Sequence, residues 1–134
     1  MYTIHDLLYQ ITGVAIEIQK DKGDAHTEKV YHRLLLAELA IAGFEVENHP
    51  RLVVKDAYGE PVQTYYPDLR ARKSGCQALV ELKACKGSFD ASDYRQARSY
   101  LSVSPDDQAI LLLNFGEWPL GKERYYQRRE RTNL

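Results

Sequence analysis

The sequence predicts a mixed α/β protein in which helices cover both faces of one mixed sheet. Three observations carry this. Residues 1–43 hold two stretches with apolar residues at helical spacing. Residues 44–85 break into short strand-like segments separated by turn clusters. A third helical stretch then leads into Gln108–Phe115, "QAILLLNF", a fully apolar strand of the kind found inside a covered sheet. The order is helix, helix, three or four strands as a meander, helix, strand. A meander followed by a helical crossover implies an antiparallel part joined to a parallel neighbour by a right-handed connection.

The first helix begins at Thr3-Ile4-His5-Asp6, which reads as a capping box. Ile4, Leu7, Leu8, Ile11, Val14, Ala15 and Ile18 form its apolar stripe, and "KDKGD" (Lys20–Asp24) ends it. A second helix is expected from about His26 to Ala42, with Gly43 at its C′ position. Phe44–Glu47 alternates with period two. Arg51–Lys55 is the next strand, and "DAYGEP" (Asp56–Pro61) is a turn. Val62–Arg70 reads as one strand with a bend or edge position at Pro67. "RKSG" (Arg72–Gly75) then turns the chain into Cys76–Cys85. Asp90 or Ser92 caps a third helix reaching about Val103.

Composition sets the frame. The chain has 134 residues, a length suited to one compact domain, and is 44% hydrophobic and 28% charged. The formal net charge of -1 neither favours nor excludes a nucleic-acid partner, so the distribution of charge matters more. Arg70, Arg72 and Lys73 form one basic cluster. Lys122, Arg124, Arg128, Arg129 and Arg131 dominate the C-terminal stretch. Two cysteines at the ends of one strand, about 30 Å apart at ~3.3 Å per residue, do not bridge each other. Without histidine spacing they make a poor zinc site, and buried thiols in a reducing compartment are the simpler reading. No N-terminal run resembles a signal peptide and none approaches a membrane span, so the expected location is the cytoplasm.

The chemistry concentrates in "ALVELKA" (Ala78–Ala84). Residues i and i+2 of a strand share a face, so Glu81 and Lys83 project together while Val80 and Leu82 face the other layer. Charges inside a central strand are costly unless paired, hydrated or bound to a metal. A hairpin centred near Lys73 and Ser74 sets Asp68 opposite roughly residue 79, within reach of Glu81 if a bulge intervenes. Two carboxylates beside an ammonium form an oxygen-donor site for a hard cation such as Mg²⁺, with the Leu82 carbonyl as a further ligand. Lys83 could position or deprotonate a water, or stabilise a phosphorane-like transition state. A surface salt bridge at a strand end would also account for the bare pattern. Gln96 and Tyr100, at i and i+4, share a face of the third helix, and Glu28 lies in the first turn of the second. A packed tyrosine, a solvated glutamine and simple dipole compensation would explain these three equally well in isolation.

Together these pieces resemble a known family. "PD" (Pro67-Asp68) followed by "ELK" (Glu81–Lys83) is similar to the PD-(D/E)XK nuclease signature. "QARSY" (Gln96–Tyr100) resembles the QxxxY element of its RecB-like members. "GDAHTEKVYHRLL" (Gly23–Leu35) looks like the stretch that names the small bacterial GxxExxY proteins of the same superfamily, and "ILLLNFG" (Ile110–Gly116) looks like their final core strand. The resemblance runs from about Leu7 to Gly116 with the elements in the family's order. It implies a restriction-endonuclease-like αβββαβ core. It also implies Glu28, Asp68 and Glu81 as metal-site carboxylates, Lys83 as the catalytic lysine, and Gln96 and Tyr100 in support. Ala25 stands where the family often has glycine, so the loop before Glu28 departs from the pattern.

The expected function is therefore a Mg²⁺- or Mn²⁺-dependent hydrolase of phosphodiester bonds in DNA. Asp68, Glu81, Leu82 and Glu28 form its metal site, and Arg70, Arg72, Lys73, Arg95 and Arg98 hold the nucleic-acid backbone. A catalytically inactive nucleic-acid- or partner-binding module on the same fold is the alternative. A homodimer paired through the first helix is a third reading. His5, His26, His32 and His49 show no ligand spacing and read as surface residues. Trp118 reads as a packed anchor, and Tyr125 with Tyr126 as a solvated terminal strand or tail.

Overall fold

The computed structural model describes residues 1–128, so Arg129 and Arg131 of the C-terminal basic cluster lie outside the described residues. Helix α1 (Ile4–Lys22) starts at the expected capping box: Thr3 accepts from the Asp6 N–H, and the Asp6 carboxylate accepts from the Thr3 N–H at 2.7 Å. It stops at Gly23, whose φ of 83° is open to glycine at little cost. Helix α2 (Glu28–Ile41) begins two residues later than the expected His26, with Thr27 as N-cap.

Strand β1 (Glu45–Asn48) is followed by β2 (Leu52–Lys55) and β3 (Pro61–Tyr65), then β4 (Leu69–Lys73) and β5 (Cys76–Lys83). Helix α3 (Ala91–Val103) crosses to β6 (Ala109–Asn114), and β7 (Gly121–Tyr126) closes the described chain. The main sheet has the order β1-β4-β5-β6-β7, with β5 and β6 parallel and the other pairs antiparallel. This is the mixed sheet that the sequence implies, with its parallel pair made by the α3 crossover. Helices α1 and α2 cover one face through Leu7, Leu8, Ile11, Leu35 and Leu39 against Ala78, Val80, Leu111 and Leu113. Helix α3 covers the other, with Ala97, Tyr100 and Leu101 against Leu79, Ile110 and Leu112.

The strands are not a simple meander. β1 pairs with β4, and β2–β3 leave as a separate two-stranded sheet. The expected single strand Val62–Arg70 is two strands, broken at Tyr66-Pro67-Asp68. Proline cannot donate to a ladder, so pairing on both sides of Pro67 is interrupted there. The β2–β3 hairpin instead packs on α3, with Leu52 in its core and Tyr65 against Tyr100. Of the two readings of Tyr125 and Tyr126, strand or tail, the strand holds: Gly121–Tyr126 pairs with β6. The expectation for Trp118 fails, since it is 60% exposed instead of packed. Cys76 and Cys85 are both free thiols, but only Cys76 is buried as expected and Cys85 is exposed. Among the described residues no helix is long and apolar enough to cross a membrane.

Candidate active site

The turn between β4 and β5 sets the geometry of the site. Ser74 (φ 50°) and Gly75 (φ 82°) are its two central residues, the conformation that matches the twist of a two-residue hairpin. Lys73 therefore pairs with Cys76, and Leu69 with Val80. The turn lies one residue later than the sequence reading assumed. Continued past Leu69, this register sets Asp68 across from Glu81 and Pro67 across from Leu82, so no bulge is needed. The alternation of an antiparallel ladder directs the backbone of Cys76, Ala78, Val80 and Leu82 toward β4. At Leu82 the facing residue is Pro67, which has no N–H to offer the Leu82 carbonyl. The Leu82 N–H donates instead to Asp68 Oδ2 at 2.7 Å. Asp68 in turn donates its own N–H to Glu81 Oε1 at 2.7 Å. Pro67-Asp68 thus ends the pairing, frees one carbonyl and holds two carboxylates at the end of β5.

Glu28, exposed in the first turn of α2, lies near enough to feel the charges of Asp68 and Lys83. Burial and then the Asp68 charge raise its proton affinity above the ordinary range, while Lys83 opposes the shift. Glu81 is raised further, to about 8, first by desolvation and then by Asp68, with Glu28 adding to the effect. The Asp68 N–H bond and Lys83 pull the other way. Glu81 therefore holds its proton far more tightly than an ordinary carboxylate, which a bound cation would offset.

Lys83 points to the α3 side and donates to Asp93, which is 6% exposed. Asp93 is the third residue of α3 and half of its capping box: Asp93 Oδ2 accepts from the Asp90 N–H at 2.9 Å. The Asp93 bond is the main cause that holds the Lys83 ammonium above its ordinary pKa. Asp93 was not foreseen. The spacing Asp90-x-x-Asp93 was visible as a capping signal, but nothing in the sequence pairs the second aspartate with Lys83.

The remaining expected residues divide. Tyr100 lines the site: burial, followed by the charges of Glu81 and Asp68, pushes its hydroxyl to about 12. Gln96 is exposed on the same face of α3 and makes no hydrogen bond among the described residues. Arg95 is exposed. Arg98 is turned into the protein, donating to the Tyr126 carbonyl at 2.9 Å and stacking near Tyr94 and Tyr125. Arg70 is occupied by an ion pair with the fully buried Asp107 at 2.8 Å and by Glu47 at 3.1 Å. Arg72 bonds Gln77. Lys73 sits at the far end of β4, on Phe44 and the Ala42 carbonyl. The cluster Arg70-Arg72-Lys73 is therefore not one continuous face, because alternation sends Lys73 to the opposite side of the sheet from Arg70 and Arg72.

Two further residues hold the site in place. Tyr31 stacks on Phe115 with ring centroids 4.4 Å apart, and its hydroxyl donates to the Gly23 carbonyl at 2.6 Å. The same oxygen accepts the His26 N–H at 3.2 Å, so it fastens both ends of the loop before Glu28. Asn114, 1% exposed, accepts from Cys85 N and Gly116 N and donates to the Cys85 and Gly87 carbonyls. It ties the segment after Lys83 to the end of β6.

The donor set is all oxygen: carboxylates of Asp68 and Glu81, with Glu28 nearby, and the Leu82 carbonyl. That suits a hard divalent cation. Among the described residues no three acidic, imidazole or thiol side chains close into a ready cage. A comparison with curated proteins finds no match. The family model described as the PD-(D/E)XK nuclease superfamily matches residues 5–128. With Asp68 and Glu81-Leu82-Lys83 converging inside that span, the chain belongs to the PD-(D/E)XK nuclease superfamily.

Proposed function

We propose that the protein is a Mg²⁺- or Mn²⁺-dependent nuclease that hydrolyses phosphodiester bonds in DNA. The observation that supports it is the pairing of Asp68 and Glu81 at the end of β5, where the Asp68 N–H donates to Glu81 Oε1 at 2.7 Å and Glu81 is pushed up to about 8, with Glu28 near enough to feel the Asp68 charge. Crowded carboxylates of this kind destabilise one another, and a divalent cation is the natural partner that relieves them. Asp68, Glu81 and the Leu82 carbonyl would hold the ion, with Glu28 as a further or second-site carboxylate. When bound, such an ion neutralises charge on the phosphodiester and acidifies a water. Lys83, held charged by Asp93, stabilises negative charge that grows on the phosphoryl oxygens. Its raised pKa makes it a donor of positive charge more readily than a base. Tyr100, kept protonated, offers a hydroxyl donor to a ligand in the same cleft.

The test is cleavage of single- and double-stranded DNA with Mg²⁺ or Mn²⁺, alongside Asp68→Ala and Lys83→Ala. Each substitution is expected to reduce cleavage by at least a hundredfold. Undiminished activity in both variants would exclude this site. Salt-dependent DNA binding with no cleavage in any divalent metal would favour the binding-module reading.

A further inference from the structure

Beside the site, on the side of α2, lies a shallow concavity of about 210 Å³ whose lining includes Lys29, His32, Arg33, Asn48 and His49. Lys29, His32 and Arg33 stand at i, i+3 and i+4, so they form one stripe of the helix. Four of its six lining residues are cationic or imidazole, Leu36 and Asn48 being the other two, and no acidic residue among the described residues lines it. Its two walls are tied directly to the site. Lys29 follows Glu28 in sequence, and the His49 N–H donates to the Asp68 carbonyl at 2.9 Å. His49 holds a left-handed backbone (φ 49°), which a non-glycine residue adopts at a cost.

Two features show that the charge in this concavity is not already spent. Neither Lys29 nor Arg33 forms an ion pair among the described residues, in contrast to Arg70. The His32 and His49 rings meet edge to face at 4.8 Å, and His32 Nε2 is buried with no hydrogen-bond partner among the described residues. Buried ring nitrogens are seldom left without a partner, and an anion oxygen would provide one.

We infer that this concavity binds a backbone phosphate of the nucleic-acid strand next to the one that is cleaved, with Lys29 and Arg33 as its charged contacts and His32 and His49 as its floor. The inference rests on the nuclease reading above and moves the backbone-binding surface from the Arg70 cluster to α2. A phosphate held here lies beside both Glu28 and the Asp68 backbone, so it would fix the register of the strand against the metal-site carboxylates. The substrate is then a polynucleotide that extends past the cleaved bond, and not a mononucleotide ester.

The test measures binding of a fluorescent DNA oligonucleotide across a salt series in Ca²⁺, with wild type, Lys29→Gln, Arg33→Gln and His32→Gln. Arg33→Gln and Lys29→Gln are each expected to weaken binding about 3- to 10-fold and to lower the slope of log K against log salt by about 0.9, one phosphate contact. Manganese affinity should not move, and cleavage of a long strand should show a raised KM. His32→Gln should weaken binding with little change in slope. Slopes and affinities equal to wild type in all three variants would overturn the inference while leaving the nuclease reading intact. Failure of the wild type to bind DNA at any salt would overturn both. Because Lys29 and Arg33 are exposed, their replacement should not disturb folding, which circular dichroism verifies.

Discussion

Lys83 and Asp93 are joined across the gap between the end of β5 and the first turn of α3, with the ammonium donating to a carboxylate that is itself part of the helix cap. One aspartate therefore does two things: it starts α3 and it keeps Lys83 charged. Asp93→Asn separates them, because the amide oxygen can still accept the Asp90 N–H. Capping should suffer little, costing about 1 kcal/mol or less. The Lys83 pKa should fall, since its largest raising influence is removed while desolvation stays. Cleavage should drop about tenfold or more, and the alkaline limb of the pH–rate profile should move to lower pH. A profile that superimposes on the wild type would show that Asp93 serves the helix alone.

Glu81 makes the metal-free protein sensitive to pH in the opposite sense from most carboxylates. Its folded pKa of about 8 stands above the ordinary value of 4.5, so the folded state binds more protons than the unfolded state between those limits. Stability from this group is thus lost as pH rises from about 4.5 through 8. Glu81→Gln removes the penalty and should stabilise the metal-free protein at pH 8 by about 1–2 kcal/mol, a value reduced for the partial solvent access of the site. It should have little effect at pH 5. The same logic requires that cation binding release a proton below pH 8. Denaturant melts at the two pH values, and Mn²⁺ titration in two buffers of different ionisation enthalpy, measure both effects.

The periodic parts of the fold were legible in the sequence, and the register was not. Helix α1 was readable because Thr3 and Asp6 form a local cap and the apolar stripe repeats without interruption. The strand carrying Glu81 was readable because period two separates Val80 and Leu82 from the charged pair. The split of Val62–Arg70 was hidden because β3 and β4 join different sheets, a long-range choice that local propensity does not report. The one-residue placement of the Ser74-Gly75 turn was equally hidden, and it decides that Asp68 faces Glu81 and not residue 79. His32 and His49, seventeen residues apart on α2 and after β1, read as unrelated surface residues until the chain brings their rings together. Arg70 looked like a phosphate ligand because its partner Asp107 lies far away in sequence.

Tyr31 gives a way to perturb Glu28 without touching it. Tyr31→Phe keeps the ring stacked on Phe115 and deletes the hydroxyl that fastens Gly23 and His26. The global cost should be about 1 kcal/mol, the usual net value of such hydrogen bonds. The loop before α2 is then free to shift, and Glu28 with it. Manganese affinity and kcat should both decline, while DNA binding in Ca²⁺ through Lys29 and Arg33 should decline less. If only the melting temperature changes, Tyr31 is a core residue with no bearing on the site.

Gly116 and Gly13 form a matched pair of opposite sign. A Cβ at Gly116 would lie 2.5 Å from the Cys85 nitrogen and 2.6 Å from its carbonyl oxygen, inside any tolerable contact. Backbone cannot step aside as a flexible side chain can, so the segment after Lys83 must move against the three hydrogen bonds through which Asn114 holds it. Gly116→Ala should therefore destabilise the protein by about 1–3 kcal/mol and reduce cleavage beyond what the loss of stability explains. Gly13, in the interior of α1, has nothing within 4 Å of the added atom. There alanine gains about 0.5–1 kcal/mol from helix propensity with no steric cost. Gly13→Ala should raise the melting temperature and leave cleavage unchanged. Since both substitutions add one methyl group, a difference in activity between them measures the close approach at Cys85 and not the general effect of replacing a glycine.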